Sequence, residues 1–194
     1  YASDITRTFP ANGKFTGPQR DLYNLVLASQ DAAVAATKAG ARFNDPHDAT
    51  VKVLAQGLLD LGLLNKDKHG NAQDVIDKRA YFQFYMHRTG HWLGMDVHDC
   101  GSYVEPTELG QVSERKDPLS GETIVNRPSR ILQPGMVLTI EPGLYVRPAE
   151  GVPEAFWNLG IRIEDDAIVT SEGCELITRG VPVAADEIEA LMRS

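Results

Sequence analysis

The hydrophobic pattern of this 194-residue chain changes from helical to strand-like along its length, and this change restricts the fold class more than any other feature. Apolar side chains recur every three or four positions in residues 16–40 and again in 45–62, which predicts two amphipathic helices. Residues 136–141 and 160–169 are rich in β-branched side chains and are bounded by glycine and proline, which predicts strands. Helices followed by strands favour an α+β fold over a doubly wound sheet.

Weaker signals complete the expected organisation. We expect further strands at residues 4–9 and 81–86, and a closing helix at 186–193, whose acidic first turn and basic last turn suit the helix dipole. Residues 105–127 are polar and contain the turn-rich run DPLSG, so they are expected to form an inserted loop or hairpin. From the length, we interpret residues 1–194 as one domain or a little more.

Composition excludes several classes of function. The chain has 27 acidic and 19 basic side chains, a formal net charge of −8, which argues against a nucleic-acid partner because phosphate binding requires clustered lysine and arginine. No apolar run approaches the ~18–20 residues that cross a bilayer, so no membrane association is expected. Two cysteines, Cys100 and Cys174, fit a reducing compartment and predict a cytoplasmic protein. The chain starts at Tyr1 without a signal-peptide pattern, and we interpret its beginning as internal.

Six side chains of metal-binding type lie in places where an isolated charge or imidazole is costly. They are Asp4 in an expected strand, three histidines of MHRTGHWLGMDVHD (His87, His91 and His98), Glu141 after the apolar run MVLTI, and Glu164 beside Arg162 in GIRIEDDAIV. One imidazole with several carboxylates from separate strand ends suits Mn²⁺ or a similar divalent ion better than a thiolate zinc site would. More than one bridging carboxylate would allow two ions ~3.5–4 Å apart.

Each of these residues also has an ordinary structural interpretation. An acidic residue at a strand end, such as Asp4, is usually solvated. Glu164 and Arg162 could form a structural salt bridge, and histidines near glycines could brace loops. Glu141 is harder to explain in this way, because carboxylates rarely follow a largely apolar run without a partner.

The histidine pair His87 and His91 matches the spacing of the HExxH zinc motif only superficially. Arg88 stands where that motif needs glutamate, and the threonine and glycine that follow disfavour a helix. The helical zinc pair is therefore rejected. The remaining histidines, His47 and His69, lie in polar segments and are assigned no role.

Four ordered motifs resemble those of the pita-bread metallopeptidases: DITRTF, HWLGMDVHD, LQPGMVLTIEPGLY and GIRIEDDAIVT. They cover nearly the whole chain apart from residues 105–127. Within that superfamily, the histidine-rich run and the closing EIEALM most resemble bacterial Xaa-Pro aminopeptidase (aminopeptidase P), with prolidase as the nearest neighbour. The resemblance implies a pita-bread fold of the α+β class, in which helices back a curved antiparallel sheet.

The resemblance also implies a dinuclear centre, usually of manganese, with Zn²⁺, Co²⁺ or Mg²⁺ as alternatives. The implied metal ligands are Asp4 and Glu164 as bridging carboxylates, His91 as the sole histidine, and Glu141 as a terminal carboxylate. The implied catalytic residues are His87, His98, Glu141 and Arg162. Tyr145 is expected to line the substrate pocket together with His87, His98 and Arg162.

The chain departs from the family pattern at one ligand. The family's first aspartate ligand lies about one strand before DITRTF, and the chain begins too late to include it. The resemblance therefore implies an N-terminally truncated piece of a longer enzyme, with an incomplete second metal site and little activity of its own. The absent N-terminal part is an expected partner, and we expect the intact protein to be a homo-oligomer.

The implied reaction is hydrolysis of the bond between an N-terminal residue and a following proline in a peptide substrate. Two alternatives stay open at this point. One is prolidase, which cleaves Xaa-Pro dipeptides, and the other is a non-catalytic pita-bread binding module that has lost its ligands. The presence of Asp4, His91, Glu141 and Glu164 argues against the second alternative.

Overall fold

The two expected long helices are present. In a computed structural model, which describes residues 2–193, helix α1 spans Gly17–Ala36 and helix α2 spans Asp45–Asp60. Thr16 begins α1 with a capping box: its side chain accepts a hydrogen bond from the Gln19 amide, and the Gln19 side chain accepts one from the Thr16 amide. The Leu25 side chain of α1 occupies the space that a Cβ atom on Gly57 of α2 would need. Glycine at position 57 therefore allows the two helices to pack closely.

The remaining helices are short. They are α3 (Lys66–His69), α4 (Ala72–Asp77), the closing helix α5 (Ala185–Met192), and 3₁₀ turns at Ala80–Gln83, Pro106–Glu108 and Glu154–Phe156. Helix α5 confirms the prediction for residues 186–193, and its Glu189 carboxylate accepts hydrogen bonds from the Phe15 amide and the Arg20 guanidinium. No helix within residues 2–193 has the length and apolar character needed to cross a membrane.

The strands form small sheets in which every pairing within residues 2–193 is antiparallel. Their bounds are β1 Leu93–Gly94, β2 Val97–His98, β3 Ser113–Lys116, β4 Thr123–Asn126, β5 Val137–Ile140, β6 Gly143–Val146, β7 Leu159–Arg162, β8 Asp165–Val169 and β9 Cys174–Leu176. One sheet has the order β5-β8-β9, while β1 pairs with β2, β3 with β4, and β6 with β7. The structure thus confirms a mixed α+β architecture with helices and strands segregated along the chain.

Two chain segments pass from one sheet to another at the same place. Strand β5 ends where Ile140 faces Asp165 of β8, and the next pair of strands begins where Gly143 of β6 faces Arg162 of β7. The residues between these pairs therefore face one another across the break, among them Glu141 on one side and Glu164 on the other. The topology brings the two glutamates together although 23 positions separate them in sequence.

The prediction of a strand at residues 4–9 is wrong, and side chains explain the difference. Only Thr6 makes a backbone bridge, with Glu164. On either side of that bridge, side chains replace the ladder: the Asp166 carboxylate accepts from the Asp4 amide, and the Thr8 hydroxyl donates to the Arg162 carbonyl while accepting from its amide. The segment is extended and runs along β7 and β8 without forming a regular strand.

The prediction of a strand at residues 81–86 is also wrong. This part of the chain begins in the 3₁₀ turn Ala80–Gln83, and the amides of Phe84 and Tyr85 both donate to the Tyr81 carbonyl. Three of its aromatic side chains, those of Tyr81, Phe84 and Tyr85, are buried in the core beside the helices, so their enrichment reflects burial and not strand pairing.

Residues 105–127 contain the hairpin β3–β4, whose strands are joined by a turn at Asp117–Glu122. The hairpin is linked to the rest of the molecule by an ion pair between Asp117 and Arg79. The main core lies elsewhere, between helices α1 and α2 and the β6–β7 pair, where Leu22, Leu54, Leu144 and Ile163 are fully buried. The strand breaks that carry Glu141 and Glu164 therefore rest on a packed base.

Candidate metal centre

Four separate chain segments bring metal-binding side chains together. The His91 Nε2 atom lies 3.1 Å from Asp4 Oδ2 and 3.7 Å from Glu141 Oε1. The ligand atoms of His91, Glu141 and Glu164 lie within 4.8 Å of one another, and so do those of Asp4, His91 and His98. His91 belongs to both groups, so the predicted ligand residues form one continuous cluster.

The backbone around His91 orients its imidazole towards the carboxylates. Its Nδ1 atom lies 2.9 Å from the Trp92 carbonyl, which can only accept, so Nδ1 carries a proton and, in the neutral imidazole, Nε2 has the lone pair that faces the carboxylates. The His91 amide donates to the Thr139 hydroxyl, and the Thr139 amide donates to the His91 carbonyl. The same hydroxyl donates to Glu141 Oε1 at 3.4 Å, so Thr139 positions two predicted ligands at once.

The electrostatics of the cluster favour a cation. Glu164 is only 2% exposed, and burial raises its pKa to about 7. A 2.5 Å hydrogen bond from the Thr6 hydroxyl opposes this rise, while the negative charges of Glu141 and Asp4 add to it. Several carboxylates and an imidazole lone pair thus face one another in a partly buried space, and a divalent cation would satisfy all of them.

The predicted substrate residues form a line of contacts that leads away from the cluster. The Arg162 guanidinium lies 3.5 Å from Glu141 Oε2 and donates from Nε to the Tyr145 hydroxyl at 3.0 Å. The Tyr145 hydroxyl in turn lies 2.9 Å from His87 Nε2. The structure therefore brings His87, Tyr145 and Arg162 to the same side of Glu141.

His98 lies beside two of the predicted ligands, His91 and Asp4. Its ring centre is 4.1 Å from that of His91, and it completes a group of ligand atoms with His91 and Asp4. Its side chain is exposed, unlike that of His91. The geometry fits either a substrate-facing residue or an additional ligand.

Sequence reasoning missed the residues that support the ligands. Thr6 and Thr139 contact Glu164 and Glu141, and fully buried Asp166 accepts a hydrogen bond from the Asp4 amide at 3.0 Å. Thr6 could have been found, because alternation in DITRTF places it on the same face as Asp4. Thr139 and Asp166 belong to apolar or charged runs that carry no such signal.

His47, to which the sequence assigned no role, lies behind this site. Its Nδ1 atom is 2.9 Å from the Thr89 hydroxyl, which is also 2.5 Å from the Tyr85 hydroxyl. Burial, together with the nearby positive charge of Arg88, lowers the pKa of His47 to about 3. The imidazole is therefore neutral near pH 7, and this partly buried side chain hydrogen-bonds to the Thr89 hydroxyl.

Known proteins share this arrangement of segments over the whole chain. Xaa-Pro aminopeptidase of Haemophilus influenzae is 43% identical over 192 residues, which cover 99% of this chain and 39% of the relative. The structure of Pseudomonas aeruginosa aminopeptidase PepP matches with a TM-score of 0.83 and 46% identity, over 100% of this chain and 38% of that one. A zinc-substituted Escherichia coli aminopeptidase P in complex with product matches with a TM-score of 0.82 and 42% identity, again over 100% and 38%.

These similarities confirm the pita-bread fold, while the chain spans about two fifths of the length of these relatives. The chain also matches the sequence model of metallopeptidase family M24 over residues 1–171. These residues include every residue of the candidate site. The chain belongs to metallopeptidase family M24.

Proposed function

We propose that the intact protein hydrolyses the peptide bond between an N-terminal residue and a following proline, at a centre that holds two divalent metal ions. The observation that carries this proposal is the convergence of Asp4, His91, Glu141 and Glu164 from four segments within ligand distance. Membership of a metallopeptidase family and whole-chain similarity to proteins named Xaa-Pro aminopeptidase support it.

We propose that Asp4 and Glu164 would each contact both ions and that His91 and Glu141 would complete the ligands of one of them. Carboxylate-rich donor sets suit manganese, which we propose as the native metal, with zinc, cobalt or magnesium as substitutes. A zinc-substituted form of the Escherichia coli relative supports such exchange. The second ion needs a further carboxylate, which we expect from the part of the protein that precedes this chain.

When bound, two divalent ions would lower the pKa of a water molecule so that hydroxide is available near neutral pH. Glu141 is positioned beside His91 and Arg162 to accept the proton as a general base. His87 and His98 would donate hydrogen bonds to the oxygen of the scissile carbonyl as negative charge develops on it. Arg162 and Tyr145, held together at 3.0 Å, would form the wall against which the substrate lies.

The proposal extends to the setting of the protein. We propose a cytoplasmic enzyme on the basis of its two free cysteines, Cys100 and Cys174. We also propose that the N-terminal part of the same protein and further copies of it complete the assembly, since relatives are more than twice as long as this chain.

A peptide assay on the intact protein tests the proposal. With Mn²⁺ present, the protein should release the first residue from Ala-Pro-Gly and leave Ala-Ala-Gly intact. A chelator should stop the reaction and added Mn²⁺ should restore it. Stoichiometric metal without cleavage of any proline peptide would contradict the enzymatic function and favour a binding module.

Substrate length separates the proposed function from its nearest alternative. An Xaa-Pro aminopeptidase should cleave Ala-Pro-Gly and longer peptides, whereas a prolidase should cleave the dipeptide Ala-Pro and leave the longer ones intact. Cleavage of the dipeptide alone would therefore replace the proposal with prolidase.

A further inference from the structure

A cavity of about 310 Å³ adjoins His87 outside the metal cluster. One wall is the segment that contains the 3₁₀ turn Ala80–Gln83 and runs on to Arg88, and the opposite wall is the hairpin β3–β4. The only charged side chains that line this cavity, apart from histidines, are arginines: Arg79, Arg88 and Arg115. The chain as a whole has a net charge of −8, so the positive charge at this cavity is opposite in sign to that of the whole chain.

Two of these arginines form no ion pair with a carboxylate within residues 2–193, although the charges of Arg88 and Asp48 interact. Arg79 pairs with Asp117 and lies over the Phe82 ring, 4.4 Å from its centre. Arg88 donates to the neutral Asn44 side chain, and Arg115 makes no ion pair in the described part of the chain. Guanidinium groups have five donors in a planar fork that matches a carboxylate, so two unpaired ones at one cavity form a receptor for an anion.

The hairpin holds Arg115 at the cavity through its register. Arg115 faces Ile124 across the strands, and Ser113 faces Asn126. Ile124 and Asn126, two residues apart on β4, both line the cavity, so one face of the hairpin forms the wall. The ion pair between Asp117 and Arg79 fixes this face against the turn Ala80–Gln83.

His87 connects the cavity with the candidate active site. It lines the cavity and also lies 2.9 Å from the Tyr145 hydroxyl, which contacts Arg162 beside Glu141. The ring centres of His87 and Tyr145 are 5.5 Å apart. A peptide whose leaving part runs past Tyr145 and His87 would therefore extend towards the cavity.

We infer that this cavity binds a carboxylate on the leaving part of the peptide substrate, through Arg88 and Arg115. The inference rests on the proposed peptidase function and adds a specificity to it: preference for short peptides with a free carboxyl terminus, or for peptides with an acidic side chain at the same distance. Both sources present the same chemical group, and the substrates of the test distinguish them.

The test compares three peptides on the intact manganese-loaded protein: Ala-Pro-Gly-Gly, its C-terminal amide, and Ala-Pro-Gly-Glu amide. The free acid should exceed its amide by about 5- to 10-fold in kcat/KM, chiefly through KM, because the carboxylate contributes to binding and not to the reacting bond. In Arg115→Gln and in Arg88→Gln the ratio should fall towards one. Arg147→Gln, which removes an exposed arginine outside the cavity, should keep both the ratio and the rate.

The three peptides also identify the source of the carboxylate. If kcat/KM for the glutamate-containing amide equals that for the free acid, the cavity accepts an acidic side chain. If it equals that for the plain amide, the cavity accepts only the carboxyl terminus of the chain. Equal kcat/KM for acid and amide in the unaltered protein, or an unchanged ratio in both arginine variants, would overturn the inference while leaving the proposed function standing. Failure to cleave the plain amide as well as the acid would instead remove the proposed function, and this inference with it.

Discussion

The position of His98 is compatible with two roles, that of a metal ligand and that of a hydrogen-bond donor to the substrate. It is near enough to Asp4 and His91 to coordinate an ion, yet its side chain is exposed, as a substrate-facing donor would be. We assign it to the substrate, because His91 already provides an oriented Nε2 lone pair for the metal. The two roles predict different consequences for metal binding.

We expect His98→Ala to lower kcat of the intact enzyme by roughly 10²-fold or more, as loss of a donor to a developing oxyanion does, with unchanged metal content. His91→Ala is the matched comparison and should lose both the histidine-bound ion and nearly all turnover. Steady-state kinetics and metal analysis of the two purified variants check this. Loss of metal from His98→Ala would make that residue a ligand, and wild-type metal content in His91→Ala would contradict its assignment.

His47 gives a second prediction, through pH. Its pKa is about 3 in the folded chain, and a histidine in an unfolded chain titrates near 6.5. Between these values the unfolded state binds more protons than the folded state, so the folding stability that His47 confers is complete above pH 6.5 and declines as the pH falls. We expect His47→Gln to remove about 2–3 kcal/mol of the stability difference between pH 7 and pH 4.5.

Urea unfolding at several pH values measures this difference. His69→Gln provides the control, because His69 lies on the short helix α3 and is much less buried. Its profile should follow that of the unaltered chain. Identical profiles for His47→Gln and the unaltered chain would show that His47 is not held neutral by its surroundings.

Sequence patterns identified the residues with costly chemistry but not the residues that support them. A carboxylate after an apolar run is conspicuous, so Glu141 could be selected from the sequence, and alternation in GIRIEDDAIV singled out Glu164 on the same face as Arg162. Thr139 lies within such a run, where threonine is an ordinary strand residue, and its two contacts with the site arise only when β5 lies beside His91. His47 is hidden for the same reason, since its burial depends on segments distant in sequence.

At the level of secondary structure, a buried arginine side chain adds to the contacts that hold the segment that carries Asp4. The Arg7 guanidinium donates to the carbonyls of Glu164, Val181 and Pro182 and pairs with Asp165 at 2.9 Å. The side chains of Arg7 and Asp165 are 7% and 0% exposed. Because the backbone of this segment makes only one bridge, Arg7 supplies much of its attachment.

We therefore expect Arg7→Met to lower the free energy of unfolding by about 2–4 kcal/mol, since it leaves Asp165 with Arg179 as its only ion-pair partner within residues 2–193. The same variant should bind Mn²⁺ more weakly, because Asp4 loses its anchored backbone. Arg147→Met, an exposed arginine outside this network, should change the unfolding free energy by less than about 0.5 kcal/mol. Equal stability of the two variants, measured by urea unfolding, would rule out this role for Arg7.

The wrongly predicted strands show where local patterns reach their limit. Residues 4–9 alternate like a strand, but Asp166 and Thr8 satisfy backbone groups that a regular ladder would pair. Residues 81–86 are aromatic because they are buried beside helices, which local composition cannot distinguish from sheet burial. Helix α1, with its cap at Thr16, was predictable because helix signals are local.

At the scale of the whole molecule, the fold brings the site together by changing sheets. The chain leaves the β5-β8-β9 sheet and enters the β6–β7 pair at Glu141, and it returns at Glu164. The α+β class followed from the order of periodic segments. Glu141 and Glu164 face each other because of the strand register, which the sequence pattern does not encode. Only the resemblance to known metallopeptidases predicts that these two residues come together.

The central claim is that Asp4, His91, Glu141 and Glu164 together bind divalent cations. Anomalous diffraction from crystals of the intact protein grown with Mn²⁺ tests it most directly. We expect anomalous peaks at coordination distance from all four side chains, with His98 and His87 facing the adjacent space. Peaks elsewhere, or fully loaded crystals in which these four side chains contact no metal, would contradict it.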